Sequence, residues 1–287
     1  MDMKQFVMLA LQVSVLCTVF GFGLKATSED LLYLIRQPSL LLRSLLSMFV
    51  IMPVVAVTLV QLFDFRHAVE IALVALAISP VPPLLPKKES KSGGHHSYGL
   101  GLMALLSLLA IIVVPLSVEI LERVFGRPFA MAPGAIAKVV LVMAVLPLAA
   151  GMVIRGVRPK IADRIEKPVS LVAKVLLPLA VLALLAGTWQ AVWAAVGNGT
   201  AVAMVVFIAA GLAVGHILGG PDPDHSVVLA LSSACRHPGI ALAVAAANFP
   251  DEHFGGTILL YLIVSAIVCI PYMTWQRRQV SGTLSAA

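Results

Sequence analysis

HSVVLALSSACRHPGIALAVAAANF, residues 225–249, is the stretch whose reading decides the fold. It is long and apolar enough to cross a bilayer, which takes roughly 20 mainly apolar residues. Its centre, Cys235-Arg236-His237-Pro238-Gly239, cannot continue a regular helix, because proline has no backbone N–H and clashes with the preceding turn. Arg236 stands about eleven residues in, roughly 16 Å deep at 1.5 Å per residue and close to the middle of a hydrocarbon layer about 30 Å thick. A cation at that depth costs at least about 2.5 kcal/mol, so something must compensate it. A second stretch, Ala68 to about Leu85, carries the same kind of fault: Ser79-Pro80-Val81-Pro82-Pro83. Pro80, Pro82, Pro83, Pro238 and Gly239 are the expected helix-break residues.

The rest of the chain agrees with a membrane setting. Of its 287 residues 60% are hydrophobic and 12% charged, and the mean hydropathy is +1.00, which excludes a water-soluble domain. Seven further apolar stretches are expected to span: Gln5–Leu24, Ser39–Phe63, Tyr98–Leu121, Met131–Ile154, Val169–Trp189, Thr200–Leu218 and Phe254–Trp275, which makes about nine helices in all. The first is too long for a signal peptide and has no small-residue cleavage site after it, so it is read as a retained helix. Cys17, Cys235 and Cys269 are odd in number and lie in apolar stretches, which argues against a disulfide framework.

Basic residues fall in alternate connections. Lys25 and Arg36, then Lys87, Lys88 and Lys91, then Arg155, Arg158, Lys160, Arg164 and Lys167, and finally Arg277 and Arg278 share one side, while the opposite loops are poor in Lys and Arg. The positive-inside rule makes that side cytoplasmic, with the N-terminus outside and the C-terminus inside a plasma (inner) membrane. The net charge of +6 is thus topological, and no nucleic-acid partner is expected. Setting Met131–Ile154 aside leaves two four-helix units of opposite topology, each with its break in the third helix. Inverted repeats with discontinuous helices at corresponding positions are a mark of secondary transporters, with the substrate near the midplane. Within one transmembrane unit, residues 1–287, the expected core is 39–121 plus 200–275, and the expected panel is 5–24, 131–154 and 169–189.

The candidate substrate-binding residues are Arg236, His237, Lys88, Lys87, Ser232, Ser233, Ser79 and Ser47. Two roles are open for Arg236: a cap on the carbonyls of the broken helix, or a fixed cation in a cavity, where its planar fork suits a carboxylate. His237 is either a second donor or a partner of a nearby carbonyl. The three lysines serve topology if they lie in a loop; if the segment from Glu89 to Ser97 folds back, one of them enters the cavity. The serines either ligate a small cation or bond their own helix. Gly93-Gly94-His95-His96 reads as a polar turn, and no metal or cofactor is expected. Carboxylates at mid-helix are absent from this reading, since Glu70, Glu119 and Glu122 lie near helix ends.

Several local patterns resemble the bile acid:sodium symporter family over nearly the whole chain. They are Phe20-Gly21-Phe22-Gly23-Leu24-Lys25 followed by Ser28-Glu29-Asp30, Phe49-Val50-Ile51-Met52-Pro53, Glu70-Ile71-Ala72, Gly239-Ile240-Ala241-Leu242-Ala243 and Ala247-Asn248-Phe249. The resemblance implies an all-α membrane protein of panel and core domains with two discontinuous crossing helices, moving organic anions by alternating access. The family's first helix has no counterpart on this match, so nine helices are expected where the family has ten. The glutamate and glutamine that help sodium-coupled members bind sodium fall on Ser232 and Arg236; the family's polar crossover residues fall on Leu85 to Lys88, and its third-helix glutamine on Ser47. Two unit charges 4 Å apart repel by about 4 kcal/mol at an effective dielectric of 20, roughly a thousandfold in affinity, so sodium coupling is doubtful beside Arg236.

The expected function is therefore a secondary transporter of a small or amphipathic carboxylate, sodium-independent, working in the lipid bilayer as a monomer or homodimer. The alternatives are an arsenite or oxyanion permease of the same superfamily, which Cys235 keeps open, and a ligand sensor that has lost translocation. No paired carboxylates or nucleophile-base pair suggest an enzyme.

Overall fold

The computed structural model describes residues 3–125, 138, 141–248 and 254–286. Among them the helices are α1 (Met3–Lys25), α2 (Ser28–Tyr33), α3 (Pro38–Leu62), α4 (His67–Ile78), α5 (Leu85–Lys91), α6 (His96–Phe125), α7 (Leu141–Val157), α8 (Pro159–Ala195), α9 (Thr200–Gly219), α10 (Pro223–Ala234), α11 (Pro238–Asn248) and α12 (Gly255–Ala286). Six of these, α1, α3, α6, α8, α9 and α12, are long and apolar enough to cross a membrane. The other three expected spans are the two interrupted stretches and 131–154. The expected start of the latter at Met131 lies outside the described residues, as do Phe249 and the 250–253 connection.

Outward faces are apolar: Leu42, Leu182 and Ile217 are all exposed. That is the pattern of a chain whose solvent is hydrocarbon. α8 is longer than the expected Val169–Trp189 span. Pro159 occupies its first turn, where a missing N–H costs nothing, and the helix runs through the basic 159–168 segment before entering the apolar part.

Proline also sets two local distortions. α3 has a π-helical turn at Ser47–Ile51 just before Pro53, and α7 has one at Leu141–Val145 just before Pro147. In α3 the Met52 N–H bonds the Ser47 carbonyl five residues back. In that register the donor for the Met48 carbonyl would be residue 53, which has none. Met48 therefore presents a free carbonyl oxygen at its interior face.

Close helix contacts rest on small residues. On α9 a Cβ at Gly211 would come within 2.7 Å of the Ala234 Cα, and one at Gly215 within 2.3 Å of the Leu229 carbonyl oxygen. Glycine at four-residue spacing lets α9 lie directly against the backbone of α10, the device by which helices associate in lipid. α1 packs along α7 and α8. α9 packs along α10, α12 and α3.

Both proline-marked breaks form. α4 ends at Ile78 and α5 begins at Leu85; α10 ends at Ala234 and α11 begins at Pro238. The interruptions meet, with the His237 N–H donating to the Pro80 carbonyl at 2.9 Å. The halves pack reciprocally, α4 against α11 and α5 against α10, so the two interrupted helices cross.

Candidate functional site

Arg236 sits at that crossing, 1% exposed. Its guanidinium donates from Nη1 to the Ser79 carbonyl at 3.2 Å and from Nη2 to the Met48 carbonyl at 3.0 Å. Each acceptor is free for a stated reason: Ser79 caps the C-terminus of α4, where carbonyls lack intrahelical donors, and Met48 has lost its donor to Pro53. Its Nε–H has no acceptor among the described residues, and no carboxylate there pairs with the cation. Of the two roles open from sequence, carbonyl capping is realised, and one buried donor is left over. The backbone N–H of Arg236 donates to the Tyr261 hydroxyl at 2.7 Å, which in turn donates to the Ala234 carbonyl at 2.9 Å. Tyr261, on α12, thus ties off the end of α10, and sequence reasoning missed it.

His237 stands beside Arg236, 8% exposed. Its Nδ1 accepts the Ile240 N–H at 3.2 Å, capping the first turn of α11, and its Nε2 has no partner among the described residues. The four serines are all buried. Ser79 bonds back to Leu76 at 2.8 Å, while Ser47 and Ser233 share a 2.6 Å hydroxyl contact between α3 and α10. Ser232 makes the contact that sequence reasoning did not foresee: its hydroxyl donates to Glu89 Oε1 at 2.7 Å.

Glu89 is a buried carboxylate that sequence reasoning at mid-helix positions did not find. The segment after the triple-proline break folds back as α5 rather than remaining a loop, and Glu89 is 1% exposed, with Oε2 lacking any partner among the described residues. Gly99 makes room for it, since a Cβ there would lie 2.5 Å from Oε2. Lys87 and Lys88, on the same short helix, are exposed. Cys235, beside Arg236, and Cys269, on α12, are buried. Those two sulfurs lie 3.8 Å apart as free thiols.

The arrangement is thus a buried cation, a buried carboxyl and a thiol pair around one helix crossing, the cation held by backbone carbonyls that prolines have released and the carboxyl by the Ser232 hydroxyl. The family model described as the Sodium Bile acid symporter family matches residues 12–195. The chain belongs to that family. Members of the sodium bile acid symporter family are membrane transporters and not enzymes, and the multi-pass apolar architecture fits them. The match takes in Ser47 on α3 and the first discontinuous helix with Ser79, Lys87, Lys88 and Glu89, and ends before Ser232, Ser233, Arg236 and His237. No curated protein matches the chain.

Proposed function

We propose that this member of the family carries an organic anion, a small or amphipathic carboxylate, by alternating access, with Arg236 as its fixed countercharge. The observation that carries the reading is the guanidinium at the crossing: buried, without a carboxylate partner among the described residues, and with its Nε–H unspent. A planar donor in a low-dielectric site forms short, charge-assisted hydrogen bonds to a carboxylate. Its two carbonyl contacts hold it in place, so little ordering remains to be done on binding. Lys88, exposed on the short helix that carries the buried Glu89, is the second cation the anion meets, and Lys87 belongs to the entrance.

The Ser79 and Met48 carbonyls, which face the guanidinium, are the kind of oxygen ligand that a sodium ion would need. With a permanent positive charge among them, transport proceeds without sodium. The helices around α1, α7 and α8 form the panel, and those around the two crossing helices form the moving core. The reciprocal packing of α4 on α11 and α5 on α10 supports two inverted repeats. Contacts between the basic clusters, Lys25 with Glu166 at 2.7 Å and Arg277 Nε to the Lys91 carbonyl at 3.0 Å, support one common cytoplasmic side, with the N-terminus outside.

The test is uptake of labelled carboxylates into proteoliposomes with and without a sodium gradient. Equal uptake is expected, and a steep sodium requirement refutes the substitution of Arg236 for sodium. The Cys235–Cys269 thiol pair favours a second reading, a permease for arsenite, the oxyanion of trivalent arsenic. That reading requires Cys235→Ser to abolish metalloid export in cells, which the carboxylate reading does not.

A further inference from the structure

At the end of the molecule that carries the basic clusters, two segments distant in sequence bring two imidazoles and a carboxylate together. One ligand atom each from His95, Asp224 and His225 lies within 4.8 Å of the others. His95 precedes α6, and Asp224 and His225 lie in the first turn of α10; the turn between α5 and α6 is drawn onto α10 at Gly94, where a Cβ would meet Val228 at 2.9 Å, and by the bond from the His95 N–H to the Asp224 carbonyl at 3.2 Å. Tyr33 of α2 stacks on His95, with ring centroids 4.4 Å apart, and its hydroxyl lies 2.7 Å from His225 Nε2.

The geometry points to a binding site for a divalent transition metal of the zinc class, ligated by His95, Asp224 and His225. Two imidazoles and one carboxylate suit zinc, cobalt or nickel, and not magnesium or calcium, which take oxygen donors. With ligand bonds of about 2.0–2.1 Å, tetrahedral donors stand roughly 3.4 Å apart, so the three atoms need to close by at most about 1.4 Å. The surroundings are already those of a metal site. Asp222 Oδ2 lies 3.3 Å from His225 Nδ1, the outer-shell carboxylate that fixes the tautomer and leaves the Nε2 lone pair for the metal. His225 is buried, and His95 and Asp224 are half-buried. On binding, the metal replaces the Tyr33 hydroxyl at His225. At His95 it takes Nδ1, replacing the long 3.3 Å contact from the Tyr98 N–H. An occupied site pins the turn after the first interrupted helix to the start of the second.

The test is calorimetric titration of Zn2+ into the purified full chain, free of a histidine tag, at neutral pH, with Mg2+ in parallel. One saturable Zn2+ site per chain and no Mg2+ binding are expected. His95→Gln and Asp224→Asn should each weaken Zn2+ binding tenfold or more. His96→Gln should bind like the wild type, because His96 is exposed and bonds Ser90 instead. Asp224→Asn is the deciding variant should His95→Gln disturb α6, because asparagine keeps an oxygen for the His225 N–H that Asp224 now accepts at 2.9 Å. Absence of saturable Zn2+ binding, unchanged affinity in Asp224→Asn, or an equal loss in His96→Gln overturns the assignment. Since the readout needs no transported substrate, it stands or falls separately from the carboxylate reading.

Discussion

Arg236→Ala separates the two roles of the central arginine by their different costs. The substitution leaves the Ser79 and Met48 carbonyls without the donors that now reach them at 3.2 and 3.0 Å, a penalty of about 1–3 kcal/mol each for a buried acceptor. Against that, it removes a buried cation whose insertion costs about 2.5–3.5 kcal/mol, so the net change in stability is small and the chain still folds. Anion affinity has no such offset. A charge-assisted contact is worth about 1.5–3 kcal/mol, so affinity should fall roughly 10- to 150-fold. The assay is titration of short 2-oxo acids and steroid carboxylates into wild type, Arg236→Ala and Arg236→Lys, with thermal unfolding of each protein in the same detergent. Arg236→Lys keeps the charge but has no Nε–H and no planar fork, so it should recover only part of the affinity. Equal affinity in wild type and Arg236→Ala refutes the reasoning, as does a collapse of both variants' folds, which would leave Arg236 a carbonyl cap and nothing more.

Three other perturbations have signs fixed by the structure. Glu89→Gln should preserve the bond from Ser232 and change stability by under about 1 kcal/mol, whereas Glu89→Ala strands that hydroxyl and should cost about 1–3 kcal/mol; equal denaturation midpoints would refute the tie between α5 and α10. Gly215→Val should prevent α9 from seating on α10, where a Cβ already meets the Leu229 carbonyl at 2.3 Å, and lower the melting temperature by several degrees, while Gly187→Ala, with nothing within 4 Å, should raise it slightly. At Asp30 burial raises the carboxyl, but hydrogen bonds from Ser97 at 2.6 Å and Thr27 at 2.8 Å outweigh it and hold the group below its ordinary value. A depressed folded-state value means that Asp30 stabilises fully above about pH 4 and loses that contribution as pH falls through the folded value. Asp30→Asn should therefore flatten the acid limb of an unfolding profile, and an unchanged limb would count against the α2 cap.

Much of the architecture was legible because lipid imposes simple rules. The apolar stretches of α1, α3, α6, α8, α9 and α12 stand out by length alone, and both interruptions follow from what Pro80, Pro82, Pro83 and Pro238 cannot do. The core chemistry was legible only where one residue violated its setting, as Arg236 does. Glu89 stayed hidden because it lies among Lys87, Lys88 and Lys91 in a run that reads as a solvated loop, and its burial depends on the space left by Gly99. Tyr261 looks like one more aromatic in an apolar helix, and only the folded chain carries its hydroxyl to the end of α10. His95 lacked visible ligand partners for a similar reason, since Asp224 and His225 are supplied by a distant helix start.

The central claim is that a negatively charged guest lies against Arg236 where the two interrupted helices cross. A structure of the chain with a bound carboxylate tests it most directly. The account predicts a carboxylate oxygen about 3 Å from Arg236 Nε, with Tyr261 still on the Arg236 backbone. A carboxylate resting instead among the exposed lysines at the basic end, with the Nε–H still unpaired, would contradict it.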